Sequence, residues 1–203
     1  MAKLYFRYGA MNCGKTTLLL QVAHNYEERD QKVLLFKPLI DTKGGDEVVS
    51  RLGAKRKVDH LLSKEDIITP YLDRNNLPNA IMVDEAQFLT SKQVDELYVI
   101  AKTWDIPVLT YGLRNDFLLN TFEGSARLLA LADDIEELKT ICRCGKKATQ
   151  NMRFLDGKPV FEGDSILIDG TSEITYESVC GKCYIEKRLE YENNKVLRKS
   201  YKR

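Results

Sequence analysis

Apolar residues in this chain fall into short unbroken runs, separated by stretches where they recur every three or four positions. KLYFRY at 3–8 and KVLLFK at 32–37 read as strands, because large, aromatic and β-branched side chains favour extended backbone, and Pro38 stops the second. Between them TTLLLQVAHNYEER has apolar positions at helical spacing. AIMVD at 80–84 and PVLTYG at 107–112 continue the strand series, with a further strand expected at 135–141. Helices are expected over about 63–75, 91–104 and 124–132. Residues 38–60, with Gly44, Gly45 and Gly53 among many charges, read as one long adaptable loop. Strands alternating with helices imply an α/β fold, a mostly parallel sheet with helices on both faces.

The pattern changes at Cys142. From there to about 185 the pieces are short, extended and rich in glycine, as expected of a β-ribbon that a metal pins, and residues 186–203 are polar and mostly basic. The expected division is an α/β domain over 1–139, a small metal-anchored β domain over 140–190 and a polar, disordered tail over 191–203. With 203 residues, 43% of them hydrophobic, one main core with a small appendage is affordable. The formal net charge of +1 supplies no global field for nucleic acid or an anionic membrane. No apolar run approaches the length of a membrane span, and MAKLYFRYGAMN lacks the apolar core of a signal peptide, so a cytoplasmic location is expected.

GAMNCGKT at 9–16 follows one expected strand and opens one expected helix, the setting in which GxxxxGKT binds phosphate. Gly14 lets backbone approach the phosphates, and the N–H groups of Gly9, Ala10, Met11, Asn12 and Cys13 with the helix start supply donors. Lys15 places a mobile charge on the terminal phosphates, and Thr16 offers a hydroxyl to Mg²⁺. Asp84 and Glu85 end a buried strand, where open α/β sheets bind ligands. Asp84 suits the magnesium position. Glu85 is placed to activate a water, which makes an ATPase, or a substrate hydroxyl, which makes a kinase; the motif does not choose. A plainer reading has the two acids capping the helix that begins near Thr90.

Five cysteines, an odd number, argue against a disulfide framework. Cys13 lies in the phosphate loop. Cys142-Arg-Cys144 and Cys180-Gly-Lys-Cys183 form two close pairs whose thiolates suit tetrahedral Zn²⁺, a structural site with no open position. His24 and His60 are remote in sequence and are assigned to no metal.

YFRYGAMNCGKTTLLLQ, VDEAQFLT, IPVLTYGLRNDF, CRCGKKA and YESVC together resemble thymidine kinases of the zinc-containing, tetrameric type, over Leu4 to about Tyr184. The resemblance implies a P-loop domain and a zinc-anchored domain whose lasso loop closes over the nucleoside. It implies transfer of the γ-phosphate of ATP to the 5′-hydroxyl of thymidine, acceptance of deoxyuridine, inhibition by dTTP and a homotetramer. Glu85 matches the general base and Asp84 the magnesium-associated acid, beside the Lys15 and Thr16 already read from the phosphate loop. Met11, Phe88, Leu113, Phe117 and Phe122 match residues around the thymine base; Leu167 and Ile168 match lasso residues that read its edge, and Tyr176 a tyrosine near the sugar. Cys142, Cys144, Cys180 and Cys183 match the zinc ligands.

Three places depart from the family pattern. Asp41-Thr42-Lys43 stands where Asp-x-Arg is usual, so Lys43 keeps the charge on the phosphates without the bidentate fork. Ser50-Arg51-Leu52-Gly53 lacks an accompanying histidine, and Ile168-Asp169-Gly170 replaces Ile-Gly-Gly in a longer lasso. A P-loop ATPase or switch whose zinc ribbon and basic tail bind a macromolecule is the rival class. The near-neutral charge and the lack of a basic patch interleaved with aromatics weigh against it.

Overall fold

A computed structural model describes residues 1–164 and 174–200. The lasso residues Leu167, Ile168 and Asp169 lie outside the described residues. The chain divides into two compact units: residues 1–9, 14–114 and 121–138, and residues 10–13, 115–120 and 139–203. Residues 10–13 and 115–120 thus belong to the second unit, although the sequence places them within 1–139.

The elements of the first unit, in chain order, are β1 (Leu4–Tyr8), α1 (Lys15–Glu27), β2 (Val33–Pro38), β3 (Glu47–Val49), β4 (Lys55–Lys57), β5 (His60–Leu62), β6 (Ala80–Val83), α2 (Ser91–Thr103), β7 (Val108–Gly112), α3 (Glu123–Leu131) and β8 (Asp134–Glu137). Six strands form a sheet in the order β5-β2-β6-β7-β1-β8. Every pair in it is parallel. All residues of β2, β6 and β7 are buried, which is why they read as continuous apolar runs. Leu19, Leu20 and Ala23 of α1 pack with Leu35, Met82, Leu109 and Tyr111 on one face. Leu97 and Ile100 of α2 and Leu128 of α3 pack with Phe6, Phe36, Ile81 and Val83 on the other. The fold is α/β, as the alternation implies.

Three local expectations are corrected. Residues 63–75 contain no α-helix, only a 3-10 turn at Thr69–Tyr71. Ile68 and Leu72 are buried at helical spacing, but Asp66 accepts from the N–H of Ser63 at 2.7 Å. Glu96 of α2 accepts from the N–H groups of Ile68 and Thr69 at 2.8 and 2.6 Å. Side chains thus take backbone donors that a helix would use internally. The expected loop 38–60 holds the antiparallel β3–β4 hairpin, with Val48 in the core, and ends as β5. The strand expected at 135–141 stops at Glu137, and Thr140–Ile141 pairs elsewhere.

In the second unit β9 (Thr140–Ile141) pairs with β10 (Lys147–Ala148). A three-stranded antiparallel sheet follows, with β11 (Gln150–Leu155) between β12 (Lys158–Val160) and β13 (Ile174–Val179). Cys142, Ala148, Met152, Val179, Cys180 and Tyr184 form its small core. Helix α4 runs Gly181–Ser200, so the stretch from 191 expected to be disordered is helical as far as Ser200. Its polarity reflects a solvated helix rather than missing structure.

Candidate functional site

In the first unit the phosphate-loop glycines flank the turn from β1 into α1. Gly14 is the N-cap of α1 at φ +86°, a left-handed conformation that costs glycine little. No side chain caps α1 and no acid lies in its first turn, so no carboxylate there offsets the positive end of the helix. The ammonium of Lys15 is buried and lies 3.5 Å from the carbonyl of Gly9. The hydroxyl of Thr16 donates to Asp84 Oδ2 at 3.4 Å, bringing together both residues assigned to magnesium.

Asp84 follows β6 and is 4% exposed. Burial, then the neighbouring Glu85, pushes its carboxyl up to about 7, against the opposing pull of the Glu85 N–H and Lys15. Glu85 adopts φ +48°, which is strained for a residue with a side chain. Its carboxylate accepts from Gln87 Nε2 at 2.6 Å. The helix-cap alternative for these acids is answered by Thr90, which caps α2 through a reciprocal pair with Gln93. Phe88 and Phe122 meet edge to face at 5.6 Å, and Leu113 follows β7 nearby in the same unit, with its N–H donated to Gln87 Oε1 at 3.0 Å.

Lys43 is exposed, and its carbonyl accepts from the ammonium of Lys37. Lys37, at the end of β2 and 1% exposed, also pairs with Asp41 at 2.9 Å and reaches the carbonyl of Gly45 at 3.3 Å. A lysine in a strand gave no sequence signal of this role, because its partners become close only when the loop folds back. The Asp41–Lys43 segment is thus anchored by a buried charge.

The second unit holds the other residues expected around the nucleoside. Met11 N–H donates to Asn151 Oδ1 at 2.7 Å, and the hydroxyl of Ser178 donates to the Met11 carbonyl. Phe117 is 2% exposed, and the guanidinium of Arg153 lies 3.6 Å from its ring centroid. Arg153 Nε also donates to the hydroxyl of Tyr176 at 2.9 Å, from the position directly opposite on the neighbouring strand. Arg153, itself 1% exposed, therefore ties Phe117 to Tyr176, and sequence reasoning missed it because the three residues are far apart in the chain.

Cys142, Cys144, Cys180 and Cys183 bring their sulfur atoms within 4.8 Å of one another. Gly145 at φ +81° closes the first pair's turn, in which Cys142 N–H donates to the Lys146 carbonyl at 2.7 Å. Cys144 and Cys180 sulfurs are 3.6 Å apart. Thiolates at about 2.3 Å from a tetrahedral Zn²⁺ stand about 3.8 Å apart, so the cluster is sized for such an ion. Burial opposes ionisation of Cys142, but the N–H groups of Cys144 and Cys180 outweigh it and bring the thiol down to about 7. Cys183, hydrogen-bonded first to Cys144 and also to the other two sulfurs, is pushed up to about 12. All five cysteines are free of disulfides. His24 pairs with Glu28 and His60 stacks on Phe36, both outside this cluster. Among the described residues no helix is long and apolar enough to cross a membrane.

The family model "Thymidine kinase" matches residues 2–184. A thymidine kinase of Streptococcus pyogenes serotype M3 is 44% identical over 191 residues, covering 93% of this chain and all of that protein. Those of Enterococcus faecalis and Streptococcus agalactiae serotype Ia are each 46% identical over 186 residues, covering 91% of this chain and 95% and 97% of theirs. These matches, together with a phosphate loop after β1, two adjacent acids after β6 and a four-cysteine cluster in one sequence, place the chain in the thymidine kinase family.

Proposed function

We propose that this enzyme transfers the γ-phosphoryl group of ATP to the 5′-hydroxyl of thymidine, giving dTMP, and accepts deoxyuridine at the same site. The observation that carries the reading is Glu85, held in a left-handed conformation beside the buried Asp84, in the unit that carries Lys15 and Thr16. Family membership supplies the substrates. Glu85 accepts the proton of the 5′-hydroxyl as its oxygen bonds to the phosphorus and ADP leaves. Lys15 and the N–H groups of the loop from Gly9 through Ala10, Met11, Asn12 and Cys13 to Gly14 stabilise the phosphate charge, and Lys43 adds to it. Thr16 and Asp84 would hold Mg²⁺, which when bound neutralises charge on the ATP phosphates. Phe88, Leu113 and Phe122 in the first unit offer apolar surface to the nucleoside. Met11, Phe117 and Tyr176 in the second have the same assignment. The four cysteines would hold a structural Zn²⁺.

A homotetramer and inhibition by dTTP are part of the same proposal and rest on the family resemblance; a cytoplasmic setting is proposed with them, consistent with the lack of a membrane-length apolar helix among the described residues. ADP release measured with ATP and each common nucleoside in turn, with a no-nucleoside control, tests the substrate. Release should depend on thymidine and, more weakly, deoxyuridine. Hydrolysis indifferent to nucleosides but stimulated by a macromolecule would overturn the reading.

A further inference from the structure

Gln87 is the residue after next from the proposed base, and nothing in its position along the chain marks it out. Its side chain is 2% exposed, yet both ends of its amide are engaged. Oε1 accepts from the N–H of Leu113 at 3.0 Å, and Nε2 donates to Glu85 Oε2 at 2.6 Å. A backbone N–H can only donate, so Leu113 requires the amide oxygen and leaves the NH₂ end for the carboxylate. The orientation of the amide is therefore fixed by the end of β7.

The surroundings are cut to hold it there. A Cβ on Gly112 would lie 2.8 Å from Gln87 Oε1 and 3.0 Å from its backbone nitrogen, so a side chain at 112 would displace the amide. The Leu113 carbonyl accepts from the hydroxyl of Ser125, which is fully buried in α3. A Cβ on Gly124 would meet the carbonyl oxygens of Ala86 and Leu89 at 2.5 and 2.8 Å, so α3 sits directly against the turn that carries Gln87. Glu85 itself is strained at φ +48°, a conformation that persists only where its surroundings hold it.

We propose that Gln87 is a positioning residue, a two-ended clamp that holds the Glu85 carboxylate to the Leu113 backbone at the end of β7. The inference rests on Glu85 being the base. Leu113 is assigned to the nucleoside pocket, so the clamp joins the proton acceptor to the pocket wall. A nucleoside that seats against Leu113 then meets a carboxylate already fixed in place. A general base loses rate steeply when misplaced by about 1 Å, which is the error the clamp prevents.

The test uses the full chain with its metal. Gln87→Met keeps the length of the side chain and removes both polar ends. Gln87→Glu keeps the acceptor for Leu113 but sets one carboxylate against another, and it serves if the methionine variant does not fold. Either should lower kcat by about 10- to 100-fold while leaving the ATP KM within about twofold. A clamp that acts only by placing the base gives no rate advantage once glutamine, which is not basic, stands at 85. In a Glu85→Gln background, Gln87→Met should therefore lower the residual rate by less than about twofold. An equal loss in both backgrounds would mean that Gln87 only supports packing. A slow Glu85→Gln enzyme beside a Gln87→Met enzyme of normal turnover would overturn the clamp alone. A Glu85→Gln enzyme of normal rate would overturn the base assignment and the clamp together.

Discussion

Replacing Asp84 by asparagine should make the magnesium-free protein more stable at pH 8. The carboxyl is 4% exposed and, through burial first and then Glu85 beside it, is pushed from 3.8 up to about 7. The unfolded chain ionises Asp84 at its ordinary value, whereas the folded chain holds the proton until near neutrality. Between those two pH values the folded state binds more protons, so the contribution of this group to stability is fully present below pH 3.8 and is lost as pH rises through about 7. A displacement of that size corresponds to at most about 4 kcal/mol. Asparagine keeps the size and an oxygen for the Glu85 N–H, which Asp84 Oδ1 accepts at 3.0 Å, but it carries no charge to bury. Urea denaturation from pH 5 to 8, with magnesium removed and zinc retained, reads the effect. The parent should lose stability across this range and the variant should not, so the gain grows towards pH 8. Added Mg²⁺ should restore the parent and leave the variant unchanged. A parent whose stability is flat from pH 5 to 8, or a variant less stable than it at pH 8 without magnesium, would mean that burying the Asp84 charge costs the fold nothing.

Arg153→Lys removes the guanidinium from the face of Phe117 and the bond to Tyr176. About 2 kcal/mol of ordering energy is at stake, so steady-state kinetics should give a thymidine KM raised by about tenfold or more and an unchanged ATP KM. Lys37→Met leaves Asp41 without its buried partner, and urea unfolding should show a loss of about 3 kcal/mol, with faster proteolytic nicking in 38–60. Elemental analysis should find one Zn²⁺ per folded chain, and Cys180→Ser should lose both the metal and the thermal stability of the second unit. Well under one zinc per parent chain would remove the metal from the account.

The parts of the fold that were legible in the sequence are those whose cause is local. β2, β6 and β7 are buried on both faces, so their runs are continuous and their class is plain. The phosphate loop is legible because Gly14, Lys15 and Thr16 are needed in that order at one strand-to-helix turn. The paired cysteines are legible because each turn brings two sulfurs together. What was missed has its cause far along the chain. Residues 63–75 have helix-like apolar spacing, but Glu96 of α2 takes the backbone donors of Ile68 and Thr69. Val48 enters the core only because β3 folds against β4. Gln87, Lys37 and Arg153 are polar residues of ordinary type, and their roles depend on Leu113, the 41–45 loop, and Phe117 with Tyr176.

Single-turnover phosphoryl transfer by Glu85→Gln, with ATP and thymidine both saturating, isolates the role of Glu85 as proton acceptor. Glutamine keeps the shape of the side chain and an oxygen for Gln87 Nε2, while losing charge and basicity. The chemical step should slow by about 10²- to 10⁴-fold, with both affinities within a few fold of the parent. A chemical step within about threefold of the parent would mean that Glu85 is not the proton acceptor, because losing a positioned general base costs far more than that.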